Sequence, residues 1–322
     1  MIALNIVYFS TVPWRFLWSR PQQIVSRLAD RGHSIIFFQN PIYLDPSGLA
    51  RNYREIDIFA IKEKRKNLYL VNMFLPPFLG KLEFVTKKLG VLIFKTYLKC
   101  LNFKPEVAIF YSYPYGFLLE TLKKMNVKTL YDCPDEFAEF SHLNALKVLK
   151  AEKELSVKCS LVMAVSRKLC DKISKVNSNC FYVPNAVDFE HFFKAIQINE
   201  KPQEIKHLQH PIIGYIGIID DWVNIDLICK LAELHPEYSI LIVGPVRYGL
   251  DRLKNHANVV MIKRKKYVIL PEYLACMDVC LIPFKINKLT LASNPIKLYE
   301  YWLLVSLLFL RLCLKFARML LV

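Results

Sequence analysis

Short apolar runs in the first half of the chain alternate with segments in which apolar residues recur every three or four positions. The runs are rich in β-branched and aromatic residues, and they predict strands near residues 3–9, 34–39, 107–111, 128–132 and 160–166. The intervening segments predict helices near residues 21–31, 81–101, 115–126, 144–158 and 167–175. Strands and helices that alternate in this way form a parallel, doubly wound α/β sheet.

The alternation stops after residue 187 and resumes at residue 211. Residues 195–210 hold little apolar surface, so we predict a linker at 188–210 between a first domain at 1–187 and a second domain at 211–302. The second domain is expected to contain strands at 211–217, 238–244, 258–262 and 278–283, with helices at 223–235, at 270–277 and from 295 onward. Both domains are therefore predicted to be Rossmann-like. Neither has G-x-G-x-x-G in its first turn, which disfavours a dinucleotide-dependent dehydrogenase.

Charge narrows the choice of partners. The 322 residues include 44 basic and 28 acidic side chains, a formal net charge of +16. Such a surplus favours a polyanionic partner: nucleic acid, anionic lipid or nucleotide. No nucleic-acid-binding module is recognisable in the chain, so nucleic acid is not an expected partner.

Cysteine and histidine usage indicates a protein without a disulfide framework or a metal site. The nine cysteines are scattered and form no C-x-x-C pair, so we expect reduced thiols in a cytoplasmic protein. The first nine residues lack the basic start and cleavage site of a signal peptide. The seven histidines are isolated and there is no Asp-x-Asp, so neither a metal nor another cofactor is expected.

The segment that begins at Ser293 predicts a helix with an anion-binding start. Ser293 or Asn294 can cap the helix, and Pro295 fits its first turn. The free N–H groups attract an anion, Lys297 adds a cation, and Glu300 follows at i+3 on the same side. A nucleoside diphosphate suits this arrangement, with a phosphate near Lys297 and a ribose diol donating to Glu300. The alternative is a capped surface helix with one ion pair.

Several short motifs, in a specific order along residues 1 to about 302, carry a family resemblance. The motifs are Trp18-Ser19-Arg20-Pro21-Gln22, Leu28-Ala29-Asp30-Arg31-Gly32-His33, Tyr131-Asp132-Cys133-Pro134-Asp135-Glu136, Ala164-Val165-Ser166, Val183-Pro184-Asn185-Ala186-Val187-Asp188, Gly214-Tyr215-Ile216-Gly217, Asp278-Val279-Cys280-Leu281-Ile282-Pro283-Phe284 and Pro295-Ile296-Lys297-Leu298-Tyr299-Glu300-Tyr301. In these motifs the chain resembles GT-B glycosyltransferases of the group 1 family, in the branch of bacterial cell-surface polysaccharide enzymes of the teichuronic acid and capsule type.

The resemblance implies two Rossmann-like domains that face a central crevice, with the nucleotide-sugar donor bound to the second domain. Glu300 matches the family's ribose-binding glutamate, and the expected donor-binding residues are Gly217, Ser293, Asn294, Pro295, Ile296, Lys297 and Glu300. Two positions depart from the family. Ala292 stands where many relatives have a second glutamate that contacts the donor sugar. The segment 218–222 lacks the basic pair that neutralises pyrophosphate in many relatives.

The first domain is expected to bind the acceptor. Arg20, Asp132 and Asp135 are the candidate catalytic residues: Arg20 for a phosphate, and either aspartate for positioning an acceptor hydroxyl or acting as a base. The candidate acceptor-binding residues are Trp18, Gln22 and Tyr113. Each has a structural alternative, in which Trp18 packs, Arg20 is solvated, Asp135 caps a helix and Tyr113 belongs to an ordinary turn. The resemblance also implies a hexosyltransferase that retains anomeric configuration.

The segment from Lys81 to Lys104 predicts a basic amphipathic helix. Lys88, Lys95 and Lys99 lie on one face, and apolar residues repeat on another. The apolar segment 73–79 precedes it. The helix either packs in the ordinary way or binds an anionic membrane surface, which together with a glycan or lipid-linked acceptor would place the protein at the inner face of the membrane.

The last twenty residues depart from the family pattern. Residues 303–322 are rich in leucine and carry Arg311, Lys315 and Arg318 along one helical stripe. We predict an incomplete second domain that lacks its next strand, because the coding sequence is truncated or shifted in frame. The alternative is an interfacial helix. The function of the whole chain then has three interpretations: a glycosyltransferase, a non-catalytic remnant that binds nucleotide weakly, or a sugar-nucleotide epimerase on the same fold.

Overall fold

A computed structural model describes residues 2–43, 60–75, 83–193, 200–304 and 307–310. The chain divides into two compact units, Met1–Pro184 and Asn185–Val322. Two expectations, the helix start near Lys81 and the apolar residues 76–79, lie outside the described residues.

The first unit is a twisted sheet with helices between most of its strands. Its described strands are β1 (Asn5–Phe9), β2 (Ser34–Phe38), β3 (Ile42–Tyr43), β4 (Ile61–Arg65), β5 (Leu68–Val71), β6 (Phe74–Leu75), β7 (Val107–Phe110), β8 (Lys128–Cys133), β9 (Leu161–Ala164) and β10 (Cys180–Tyr182). Its described helices are α1 (Arg20–Asp30), α2 (Glu83–Cys100), α3 (Leu119–Lys124), α4 (Ala145–Lys158) and α5 (Arg167–Ile173), with 3₁₀ turns at Tyr113–Leu118 and Phe137–Glu139.

The main sheet of this unit has the strand order β10-β9-β8-β7-β1-β2-β5-β4. Its pairs are parallel except β4 with β5. The central strands are buried on both faces because helices cover them, which explains their near-continuous apolar sequences. Phe9, Phe38 and Phe110 stack across three neighbouring strands at centroid distances of 4.9–5.1 Å. The predicted strands and helices of this unit are confirmed for the described residues, except that the first part of the helix predicted at 115–126 is a 3₁₀ turn.

The β4–β5 hairpin did not appear in the sequence prediction. Residues 61–65 read Ile-Lys-Glu-Lys-Arg, and four of the five are exposed at the sheet edge. A strand with charged side chains at an edge carries no apolar alternation to reveal it. Charged edge strands of this kind protect a sheet from pairing with another chain.

The second unit repeats the architecture on a smaller scale. Its described strands are β11 (Ile212–Ile216), β12 (Ser239–Val243), β13 (Val259–Ile262), β14 (Val279–Ile282) and β15 (Leu307–Leu310). Its described helices are α6 (Phe189–Phe193), α7 (Ile225–Leu234), α8 (Leu250–Lys254), α9 (Leu270–Leu274), α10 (Lys288–Ala292) and α11 (Ile296–Leu304). The strand order is β13-β12-β11-β14-β15, and every pair is parallel. The two Rossmann-like folds predicted from the alternation are confirmed.

The residues predicted as a linker, where described, belong to the second unit. Phe192, Ile205 and Leu208 are buried in its core although the segment around them is polar. Three well-placed apolar side chains were enough to anchor this segment, which a count of apolar residues could not reveal.

Part of the leucine-rich ending forms a strand. Leu307–Leu310 pairs in parallel with Val279–Ile282. The expectation that the next strand is missing is therefore wrong for these residues. A continuous apolar run fits a buried parallel strand as well as a helix, so its periodicity could not separate the two. Residues 311–322 lie outside the described part of the chain, and the disrupted coding sequence stays a prediction.

Candidate functional site

Helix α11 is fixed against the end of strand β11 by a tyrosine. The hydroxyl of Tyr301 accepts a hydrogen bond from the N–H of Ile216 at 2.8 Å and donates one to its carbonyl at 3.4 Å. Tyr301 is fully buried, and Leu298, one turn earlier, packs into the same core. These contacts hold the first turns of α11 across the carboxyl end of β11.

Lys297 consequently lies directly over Gly217, the residue after β11. A Cβ atom on Gly217 would lie 2.4 Å from Cε and 2.7 Å from Nζ of Lys297. Gly217 also has φ +149°, a conformation that side chains rarely tolerate. The ammonium lies 5.4 Å from the ring centroid of Tyr215 and 5.9 Å from that of Phe284. Only glycine permits the lysine to approach the backbone so closely.

The charges of Lys297 and Glu300 are poorly solvated. Burial lowers the pKa of Lys297, against the opposing effect of Glu300. Burial raises the pKa of Glu300 to about 7, against the opposing effect of Lys297. Within the described residues, Lys297 forms no ion pair with a carboxylate, and aromatic faces are its neighbours. A half-buried cation in these surroundings favours binding of an anion.

The strand order places this lysine at a switch point of the sheet. The chain leaves β11 toward β12 on one side, whereas β14 lies on the other. Lys297 is close to Tyr215 of β11 and to Phe284, which follows β14. Ligands of open parallel sheets bind in the crevice at the carboxyl ends of the strands on either side of such a point.

The loops at this edge of the sheet approach each other closely. The N–H of Gly217 donates to the Val243 carbonyl at 2.9 Å, and a Cβ atom on Gly244 would lie 2.1 Å from the Gly217 carbonyl oxygen. The loops that follow β11 and β12 therefore pack directly against each other at the strand ends, and Lys297 contacts the first of them at Gly217.

Two further cations, which sequence reasoning did not select, lie at the same strand ends. Arg247 follows β12; its N–H donates to the carbonyl of Ile219 at 2.9 Å, and its guanidinium lies 3.8 Å from Asp220. Lys285 follows β14, with its ammonium 5.2 Å from the ring centroid of Tyr248. They supply positive charge that the loop after β11 lacks. The sequence did contain a signal for both residues, since each is a basic residue that follows shortly after a predicted strand.

The start of α11 agrees with the sequence prediction to within one residue. The helix begins at Ile296, and the Pro295 carbonyl accepts the N–H of Leu298 at 3.1 Å. Ala292, at the position of the family's second glutamate, is completely buried. Its methyl group has no polar atom to contribute to a ligand.

The polar side chains before α11 bond within the unit. The Asn294 side-chain oxygen accepts the N–H of Asn185 at 3.3 Å, and its amide donates to the hydroxyl of Tyr299 at 3.1 Å. The hydroxyl of Ser293 donates to the Thr290 carbonyl at 2.9 Å. This geometry favours a structural role for Ser293 and Asn294 over the predicted donor contacts.

In the first unit, Arg20 and Asp132 form a buried ion pair. The Nε atom of Arg20 donates to both carboxylate oxygens of Asp132, at 2.9 and 3.0 Å, and the hydroxyl of Tyr8 donates to the same group at 3.3 Å. Arg20 also donates to the Pro184 carbonyl at 3.2 Å. Asp132 is fully buried and Arg20 is 7% exposed. The pair joins α1, β1 and β8, which favours a structural role over the predicted catalytic one.

The side chains of Gln22 and Trp18 also contact neighbouring residues of the same segment, 13–22. Gln22 is fully buried; its side-chain oxygen accepts the N–H of Ser19 at 3.1 Å and its amide donates to the Pro13 carbonyl at 3.2 Å. The ring of Trp18 packs edge-on against Trp14 at 5.4 Å. The Trp-x-Arg-Pro-Gln segment thus builds the start of α1, with Gln22 completing a capping box.

Asp135 and Tyr113 stay candidates for the acceptor side. Asp135 is partly buried shortly after β8, and burial raises its pKa to about 7. Tyr113 follows β7 and contacts Phe137 edge-on at 6.4 Å. Among the residues that the structure describes, no group of three or more histidine, cysteine or carboxylate side chains is arranged to hold a metal.

Comparison with solved structures identifies the fold. Sucrose-phosphate synthase from Thermosynechococcus elongatus aligns with a TM-score of 0.63 at 16% identity, over 88% of this chain and 77% of its own. HepE from Anabaena, solved with UDP-glucose, aligns with a TM-score of 0.62 at 12% identity, over 94% and 80%. Trehalose 6-phosphate synthase from Burkholderia multivorans aligns with a TM-score of 0.64 at 11% identity, over 96% and 84%. The chain has the GT-B fold.

A curated relative is also similar in sequence. TuaH of Bacillus subtilis (strain 168), whose name assigns it as a glycosyltransferase to teichuronic acid biosynthesis, is 26% identical over 213 residues. The match spans 60% of this chain and about half, 52%, of TuaH. No family model matches the chain.

Proposed function

We propose that the protein is a glycosyltransferase that moves a sugar from a nucleotide-sugar donor to a glycan or lipid-linked acceptor in the synthesis of a cell-surface polysaccharide. The observation that carries the proposal is Lys297, a half-buried cation without a carboxylate partner, held over Gly217 one turn before Glu300. The GT-B fold and the similarity to TuaH support it.

The donor diphosphate is proposed to bind at Lys297, with its ribose diol donating to Glu300. Arg247 and Lys285 add positive charge at neighbouring strand ends. In glycosyl transfer, negative charge develops on the leaving diphosphate while the sugar becomes oxocarbenium-like. A fixed, poorly solvated cation stabilises that charge more in the transition state than in the ground state. HepE is solved with UDP-glucose, so UDP is the first nucleotide to test.

The acceptor is proposed to bind to the first unit. Asp135 is the candidate for positioning the acceptor hydroxyl, because its pKa of about 7 lets it exchange a proton near neutral pH. Arg20 and Asp132 contribute to this proposal only by holding the strand ends that carry Asp135.

Incubation with radiolabelled UDP-sugars and bacterial membrane extract tests the function. We expect label to enter a glycan or lipid fraction with wild-type protein and not with Lys297→Met. Conversion of the donor to an epimer without an acceptor would instead identify an epimerase. Binding of UDP without any turnover would identify a remnant.

We further propose that α2 binds an anionic membrane surface. Phe84, Val85 and Leu92 are 64%, 53% and 60% exposed on this helix. Lys95 and Lys99 line a cavity of about 530 Å³ together with Lys104, over a floor that includes apolar side chains. Exposed apolar side chains beside lysines suit the interface of an anionic bilayer. Within the described residues, no helix is long and apolar enough to cross a bilayer.

A further inference from the structure

The first unit contains a second cavity, with a volume of about 300 Å³, at the carboxyl ends of β1, β2 and β7. We call it the Ser112 cavity. It lies among Thr11, Asn40, Ser112, Tyr113, Phe137 and His142. Its volume is at the lower end of the range for small-molecule sites, roughly 300–1,000 Å³.

Ser112 has an unsatisfied hydroxyl in the wall of this cavity. The side chain is 1% exposed, and among the described residues its Oγ atom has no hydrogen-bond partner. Ser112 occupies the N-cap position of the 3₁₀ turn at Tyr113–Leu118, yet its hydroxyl does not cap that turn. Leaving a buried hydroxyl unpaired costs free energy, so a ligand that forms a hydrogen bond with it is favoured.

Aromatic rings form one wall. Tyr113 contacts Phe137 at 6.4 Å, Phe137 contacts Phe140 at 5.9 Å, and Phe140 contacts His142 at 5.7 Å. Such a wall packs against the apolar C–H face of a sugar ring, while hydroxyls of the ring need hydrogen-bonding groups nearby. The rest of the lining supplies such groups, in the side chains of Thr11, Asn40 and Ser112.

The lining carries no permanent charge. Within the described residues it includes no lysine, arginine, aspartate or glutamate. Apart from the imidazole of His142, a phosphate or carboxylate bound here would have no counter-ion, which favours a neutral ligand over a phospholipid headgroup or an anionic sugar.

We propose that the Ser112 cavity binds one neutral sugar ring of the acceptor, stacked on the aromatic wall and hydrogen-bonded to Ser112. This inference rests on the proposed glycosyltransferase function. It specifies that the sugar at the reacting end of the acceptor is neutral. The lipid part of a lipid-linked acceptor would then lie outside this cavity.

Ligand-detected NMR with the full chain tests the inference, using methyl glucoside, methyl galactoside, N-acetylglucosamine and glucuronate as probes. We expect at least one neutral sugar to bind in preference to glucuronate. Ser112→Ala and, separately, Phe137→Leu are each expected to weaken that binding at least about fivefold. Ser178→Ala, at an exposed serine of the same unit, is the matched control and is expected to bind as wild type does.

UDP binding to the same variants separates this inference from the proposed function. Circular dichroism and denaturant unfolding of each variant check that the first unit is folded, and UDP binding reports separately on the donor site proposed in the second unit. Absence of any neutral-sugar binding, preference for glucuronate, or unchanged binding by Ser112→Ala would overturn the inference. UDP binding by wild type alongside any of these results would leave the glycosyltransferase proposal standing.

Discussion

Glu300 is a carboxyl group whose ionisation falls in the physiological range. Its pKa of about 7 results from burial, with the nearby Lys297 opposing the shift. An ionised carboxylate accepts both hydrogen bonds of a ribose diol, whereas the protonated form must use one oxygen as a donor. The protonation state of this residue is therefore expected to control nucleoside binding.

We predict that uridine binds more tightly as the pH rises through 7. Between about pH 6 and pH 8 the ionised fraction of a group with this pKa rises roughly tenfold, so a similar gain in affinity is expected. Titration calorimetry with uridine measures it, since uridine carries no phosphate that titrates. Glu300→Gln should remove the pH dependence. A pH-dependent affinity that persists unchanged in this variant would assign the effect to another group.

The same residue affects stability with a definite sign. In the unfolded chain Glu300 ionises near its ordinary value of 4.5, whereas the folded chain keeps its proton to about pH 7. Between these values the folded state binds more protons, so the contribution of Glu300 to stability declines as the pH rises.

For single residues, the sequence predicted which side chains would form the site better than it predicted what those side chains contact. The spacing of Lys297 and Glu300 follows from helical periodicity, and so does their place on one side of α11. The approach of Lys297 to Gly217 depends on how α11 crosses β11, through the hydroxyl of Tyr301. No local pattern contains that contact, because 80 or more residues separate the partners.

At the scale of elements, the Arg20–Asp132 pair joins α1 to β8 across 112 residues of sequence. Its members were predicted from a motif as catalytic residues, because a motif shows which residues matter and not whether they face a ligand or each other. A buried pair of this kind is destabilised strongly when one partner is removed, since the other charge is left uncompensated.

We predict that Arg20→Met lowers the free energy of unfolding by about 3–5 kcal/mol. The double variant Arg20→Met/Asp132→Asn should regain part of that loss, because no unpaired charge remains. Denaturant unfolding of both single variants and the double variant measures the coupling. Strictly additive losses, or loss of sugar transfer without loss of stability, would favour the catalytic role instead.

The hairpin and the final strand show why some elements escaped prediction. β4 is charged because it lies at a sheet edge, and β15 has the uninterrupted apolar sequence that helices and buried strands share. The central strands β1, β2 and β7 were predictable because their apolar runs are short, β-branched or aromatic, and bounded by polar turns.

At the scale of the whole molecule, the net charge of +16 and the exposed side chains of α2 favour an anionic surface. We predict that the protein sediments with vesicles containing phosphatidylserine and is released as salt rises, because exposed charges are screened within roughly 10 Å at 0.1 M salt. Replacing Lys88, Lys95 and Lys99 by glutamine should weaken binding. Replacing Lys230 and Lys254, which are exposed in the other unit, is the control. Equal binding to neutral and anionic vesicles would contradict the proposal that α2 binds an anionic membrane surface.

The division of the chain into two Rossmann-like units followed from the alternation of elements, and comparison with solved structures confirms the fold. The boundary was harder to predict, because the mostly polar stretch 200–210 contributes only single apolar residues, Ile205 and Leu208, to the second core. Donor chemistry is proposed for one unit and acceptor chemistry for the other, so each can be tested by binding alone.

The central claim is that Lys297 binds the diphosphate of a nucleotide donor. Isothermal titration calorimetry of UDP and uridine against wild type, Lys297→Met and the exposed-lysine control Lys254→Met tests it most directly. A charge-assisted hydrogen bond contributes about 1.5–3 kcal/mol, so Lys297→Met should weaken UDP binding roughly 10- to 150-fold. Its uridine binding should fall much less, only because the pKa of Glu300 rises without the lysine, and the Lys254→Met control should bind both ligands as wild type does. Equal affinity of wild type and a folded Lys297→Met variant for UDP would contradict the account.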